Sequence, residues 1–196
     1  TLHRIKGQVE ELVRTSGLAY TILRSGVAYG PGDAFINHIA MMLATNPLIF
    51  VMPGQGEVVL HPMHIDDLTQ VIERSLESIT LVDQVVEVGG AEYVTLRDLL
   101  LTVMRVTGMR RLVIGLPPYL MRLITLIYSY LFPRSIMTVQ WLDVLATHRA
   151  ARLGNTYEHF GFQPRRFEDS LLLYMPGQRY WWRALRYSFR RRPRGI

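Results

Sequence analysis

The chain has 196 residues, 49% of them hydrophobic, and no cysteine. It is long and apolar enough to bury a core, and a disulfide framework or a cysteine-ligated metal is excluded. The formal net charge of +6 is concentrated at one end: residues 179–196 carry seven arginines and no acid, so the preceding chain is left with a net charge of −1. The basic balance therefore describes the tail, not the ligand of the core.

Taken in chain order, residues 3–15 predict an amphipathic helix, because Ile5, Val9, Leu12 and Val13 recur at helical spacing. Ser16-Gly17 ends it. Thr1 leads straight into this helix with no secretory signal, which reads as the start of a fragment or processed product. Residues 19–23 (Ala-Tyr-Thr-Ile-Leu) predict a buried strand. A loop follows over 26–33, holding Gly30-Pro31-Gly32, and then a helix over 34–44.

Two short strands are expected near 48–52 and 58–60, joined by Gly54-Gln55-Gly56. A helix over 66–77 would be capped by Asp66 or Asp67. Residues 84–88 predict a strand broken by Gly89-Gly90. Thr95-Leu96-Arg97-Asp98 has the form of a capping box and opens a helix to about Thr107, followed by a strand over 111–114. The alternation argues for an α/β fold with a largely parallel sheet over 1–115, and for a mostly helical appendage over 116–196. The apolar run from Leu116 to Phe132 opens with two prolines and contains Arg122. It is short of the roughly 20 residues that span a bilayer, and reads as a buried or interfacial helix.

Four blocks carry a family resemblance. They are Lys6-Gly7-Gln8-Val9-Glu10 running through Ser16-Gly17-Leu18 to Tyr20-Thr21-Ile22-Leu23-Arg24; Val27-Ala28-Tyr29-Gly30-Pro31-Gly32-Asp33; His61-Pro62-Met63-His64-Ile65-Asp66-Asp67-Leu68; and Val86-Glu87-Val88-Gly89-Gly90. In this order they resemble the C-terminal part of an atypical or extended short-chain dehydrogenase/reductase of the NAD-dependent epimerase/dehydratase type. The subgroup includes the NmrA-like proteins and relatives of an accessory subunit of respiratory complex I. The resemblance implies the C-terminal portion of a Rossmann-like domain that binds NAD or NADP in a full-length parent. The glycine-rich pyrophosphate loop would then lie upstream, in a missing N-terminal half. Gly54-Gln55-Gly56 does not replace that loop, because it joins two strands and opens no helix.

In this family a Tyr and a Lys four residues apart share one helix face. The Lys charge favours the tyrosinate, which exchanges a proton with substrate. Lys6 matches the Lys, but the position four residues before it is Leu2. The resemblance thus assigns Lys6 to the nicotinamide ribose, with catalysis degenerate or dependent on another proton donor; the alternative is a solvated helix lysine. It places the backbone of Ser25, Gly26 and Val27 at the carboxamide, the alternative being a tight turn. Tyr29 is either on the substrate side or a packed loop aromatic. The substrate is an unidentified small molecule. His61, His64, Asp66 and Asp67 suggest a metal only weakly, since His61 and His64 diverge on an extended segment.

Residues 179–194 have a separate signal. Arg179, Arg183, Arg186 and Arg190 fall on one helical face, and Trp182, Leu185 and Phe189 on another. That pattern suits an anionic membrane surface, as in a membrane-peripheral scaffold; the alternative is a helix packing its aromatics on the body. No base-reading motif supports nucleic acid. The expected setting is cytoplasmic, with peripheral association at the inner face of the membrane.

Overall fold

The computed structural model describes residues 2–131 and 151–189. The arginines at 190–194 lie outside them. Among the described residues, no strand pairs with its neighbour in the chain. β1 (Thr21–Ser25) runs parallel to β6 (Gln84–Val88), with Thr21 opposite Gln84 and Ser25 opposite Val88. β2 (Ala28–Tyr29) is parallel to β5 (Met63–His64), and β3 (Ile49–Pro53) is parallel to β8 (Leu112–Leu116). β4 (Val59–Leu60) and β7 (Val94–Thr95) form an antiparallel pair. Parallel pairs need long crossovers. These contain α2 (Ile36–Thr45), α3 (Ile65–Glu77) and α4 (Leu96–Thr107), so the mixed α/β class holds.

The helix ends follow from local chemistry. Thr95 caps α4, accepting from the Asp98 N–H at 3.1 Å while its hydroxyl donates to the Asp98 carboxylate at 2.6 Å. Gly108, at φ 71°, takes the left-handed conformation that closes the other end. Before α2, Asp33 Oδ1 accepts from the Phe35 and Ile36 N–H groups at 2.7 and 2.5 Å. At α3 the expected aspartate cap is corrected. β5 runs directly into the helix, so His64 is the cap, and its Nδ1 accepts from the Asp66 N–H at 3.3 Å. Asp66 and Asp67 fall in the first turn, where the helix dipole favours them.

Two cores result. In the larger, Ile36, Ile39 and Leu43 of α2 meet Leu96, Leu99 and Val103 of α4. The same core takes in Phe167 and Leu171 from α7 (Phe167–Tyr174) and Tyr180 and Ala184 from α8 (Tyr180–Phe189). The smaller core joins Val71 of α3, Val86 and Val88 of β6, and Phe160 of α6 (Asn155–Phe160). Each fully buried aliphatic side chain contributes about 1.5–3 kcal/mol. Residues 151–167 are also tied back by polar contacts. Thr156 Oγ1 accepts from Gly89 N at 3.1 Å, Asp67 accepts from Arg165 N at 2.8 Å, and Glu92 accepts from Phe167 N at 3.0 Å. The residues read from the sequence as an appendage thus share a core with the preceding α/β part. α5 (Pro118–Leu131) packs near β3. No helix among the described residues is long and apolar enough to cross a membrane.

Candidate functional site

Open parallel sheets present ligands at the carboxyl ends of their strands. For β1 and β6 these ends are Ser25-Gly26 and Val88-Gly89. α1 (Leu2–Thr15) reaches this edge through a fork-shaped ion pair. Arg24 of β1 donates from Nε to Glu10 Oε1 at 3.2 Å and from Nη2 to Glu10 Oε2 at 2.6 Å. Glu87, opposite Arg24 on β6, lies 3.7 Å from the same guanidinium.

Lys6 lies on the same helix four residues before Glu10, about 6 Å of helical rise. Lys6 is exposed, and its side chain has no hydrogen bond or ion pair among the described residues. Leu2 sits one turn earlier, at the start of α1. The Glu10–Arg24 clamp was not read from the sequence. Its only signal was a pair of opposite charges flanking a helix–turn–strand step.

Of the three backbone positions expected at the carboxamide, two groups are already used. Gly26 N donates to Val88 O at 3.1 Å, and Val27 O accepts from Met63 N at 2.9 Å. The Val27 N–H makes no hydrogen bond among the described residues. Ser25 is exposed at the strand end, and Val27 is half-buried.

Beneath the loop, His61 fills the space. It is 2% exposed, its Nε2 bonds Gly90 O at 2.9 Å, and its ring meets Tyr93 edge-on at 4.7 Å. A Cβ on Gly89 would fall 2.0 Å from His61 Nδ1, and one on Gly26 would fall 2.0 Å from His61 O. Close packing explains both glycines. Gly89-Gly90 is no phosphate cradle, since Gly89 N is spent on Thr156. Burial pushes the His61 imidazole below its usual value, against the opposing pull of the Gly90 and Ala151 carbonyls.

Tyr29 faces the interior. It is 1% exposed, with edge contacts to His64 at 5.3 Å and Phe167 at 5.1 Å. Its placement on an open substrate side is therefore corrected to a packed aromatic. Burial raises its hydroxyl to about 12, with Ser170 opposing the shift. Ser25–Val27 thus lie at and just past the end of β1, while Tyr29 is enclosed. No group of three potential metal ligands forms among the described residues.

A cleft of about 540 Å³ opens elsewhere, between the start of α2 and the face of α8. Asp33, Asn37, His38, Tyr180, Arg183 and Tyr187 line it. Arg183 donates to Asn37 Oδ1 at 3.3 Å and lies over the Tyr180 ring at 5.9 Å.

No family model matches the chain. No curated protein matches it by sequence. Solved structures do match by fold. UDP-glucose 4-epimerase from Thermotoga maritima, with UDP-glucose, is 19% identical at a TM-score of 0.58, over 93% of this chain and 52% of that one. UDP-glucose 4-epimerase from Thermus thermophilus, in complex with NAD, is 19% identical at 0.56, over 87% and 50%. A dTDP-glucose 4,6-dehydratase from Streptomyces venezuelae, with NAD bound, is 18% identical at 0.56, over 90% and 47%. The fold is shared with part of these epimerase and dehydratase structures. The chain spans about half the length of the structures it matches.

At the strand ends the Val27 N–H is unused among the described residues, and His61 lies buried under Gly89. Nothing among the described residues fits the pyrophosphate side. Gly54-Gln55-Gly56 links β3 to β4, and Gly89-Gly90 is filled from below.

Proposed function

We propose that this chain supplies the nicotinamide side of a dinucleotide-binding protein built like the epimerases and dehydratases, and that it holds NAD or NADP without tyrosine-dependent turnover. The supporting observation is the Glu10–Arg24 clamp, which ties α1 to β1, with Lys6 one helical turn before Glu10 and Leu2 one turn before that. A nicotinamide cofactor, when bound, supplies a hydride acceptor or donor. Lys6 orients it through the ribose hydroxyls, and the Val27 N–H offers a donor to the carboxamide oxygen. Leu2 has no proton to exchange, so the acid–base half of the usual chemistry is missing.

The pyrophosphate side comes from a preceding Rossmann half. α1 leaves Ile5, Val9 and Leu12 at 58%, 52% and 69% exposure, at one-face helical spacing. β1 pairs with β6 alone among the described residues, which leaves its other edge to take a strand.

The test is titration with NADH and NADPH, followed by nicotinamide fluorescence, on this chain and on a form extended upstream in its reading frame. Binding by the extended form, weakened about tenfold or more by Lys6→Ala, supports the reading. Folded protein that binds neither cofactor in either form refutes it. Cofactor oxidation with a carbonyl substrate would replace it with an active oxidoreductase that uses another proton donor.

A further inference from the structure

α8 is fastened to the body without its tryptophans. Tyr180 and Ala184 are 4% and 1% exposed in the larger core, and Tyr187 meets His38 edge-on at 4.9 Å. These residues fall at i, i+4 and i+7, a single inward stripe. Trp181 and Trp182 lie off the stripe. They are 50% and 56% exposed and meet each other edge-on, with centroids 5.0 Å apart. Leu172 and Leu173 of α7, the preceding helix, are 51% and 78% exposed.

The charges carried by α8 itself have one sign. Arg179, Arg183 and Arg186 are exposed, and the Arg179 and Arg186 side chains have no hydrogen bond or ion pair among the described residues. The sequence continues with Arg190, Arg191, Arg192 and Arg194, and no acid follows Asp169.

We infer that α8 docks on the surface of an anionic phospholipid bilayer. Tryptophan rings settle at the headgroup boundary, apolar body inward, while arginines meet the lipid phosphates. Arginines alone would suit a nucleic acid equally. Two tryptophans and two leucines held out in solvent, on helices already packed by other residues, favour lipid. The inference does not rest on cofactor binding, because the relevant variants leave Lys6 and residues 25–27 intact.

The test is co-sedimentation of the purified protein with phosphatidylglycerol vesicles, with phosphatidylcholine vesicles for comparison. The expected result is binding to the anionic vesicles only, accompanied by a blue shift in tryptophan emission and quenching by brominated lipid. Trp181→Ala/Trp182→Ala should weaken binding by about tenfold or more. Arg179→Gln and Arg186→Gln should each weaken it by about fivefold. Circular dichroism of the variants checks that the fold is kept. Failure of the parent protein to bind anionic vesicles overturns the inference. Equal binding by the tryptophan variant, or binding to a DNA oligonucleotide in place of vesicles, overturns it too.

Discussion

Replacing Gly89 with alanine tests the packing that closes the floor of the strand-end site. The new Cβ would stand 2.0, 2.2 and 2.5 Å from Nδ1, Cε1 and Cγ of His61. The ring has no free direction to move, being buried, bonded to Gly90 O and set against Tyr93. Displacing it forfeits a hydrogen bond worth about 1 kcal/mol and an aromatic contact worth about 1 kcal/mol. Crowding adds about 1–3 kcal/mol. The expected loss is about 3–5 kcal/mol, or roughly 10 °C in Tm for a chain of this size.

Urea and thermal unfolding of Gly89→Ala, His61→Ala and the double variant measure it. Removing the ring should rescue much of the alanine's cost, giving a coupling of about 2 kcal/mol. Gly26→Ala is the contrasting case. Its Cβ meets the His61 carbonyl oxygen at 2.0 Å, so truncating the His61 side chain should rescue nothing. A Gly89→Ala protein within about 1 kcal/mol of the parent, or a cycle with no coupling, would refute this account of the turn.

Three further outcomes follow from the same structure. Thr95→Ala removes the α4 cap and should cost about 1 kcal/mol by urea unfolding. Asp67→Ala leaves the Arg165 N–H without its acceptor and should cost about 1–3 kcal/mol, whereas Asp66→Ala, at an exposed pair, should cost under about 1. Burial lowers both His61 and His38, so the folded protein binds fewer protons than the unfolded chain in mild acid. Stability is then full above the unfolded value near 6.5. It should fall as pH drops below that, by up to about 1.4 kcal/mol per pH unit for each histidine. Urea midpoints at pH 7.5 and 5.5 that coincide would exclude this linkage.

Local signals were the legible part of the fold. β6 was readable as an apolar run ended by two glycines, and α4 by Thr95 and Asp98, because each depends on residues next to one another. β2 and β5 were not readable. Each has two residues, and only their pairing with a distant segment makes them strands. The α3 cap went to His64 because β5 leads into the helix without a turn, and aspartate preference could not reveal that. Phe167, Leu171 and Met175 repeat at four-residue steps, so the inward face of α7 was available from spacing alone. What spacing withheld was the partner, α4. At the site, resemblance alone nominates Lys6 and residues 25–27. The burial of Tyr29 and the fit of His61 under Gly89 arise from contacts remote in sequence, which no local pattern carries.

The pairing of every strand with a non-neighbour has a consequence for synthesis. β1 cannot find β6 until roughly 60 more residues have been made, about 3–12 s at ordinary elongation rates. β3 waits as long for β8. Helices form within microseconds of leaving the ribosome, but no hairpin exists to hold the early strands. The nascent chain therefore carries bare strand edges for seconds. Its yield in a cell should depend on holdase chaperones more than its equilibrium stability would suggest.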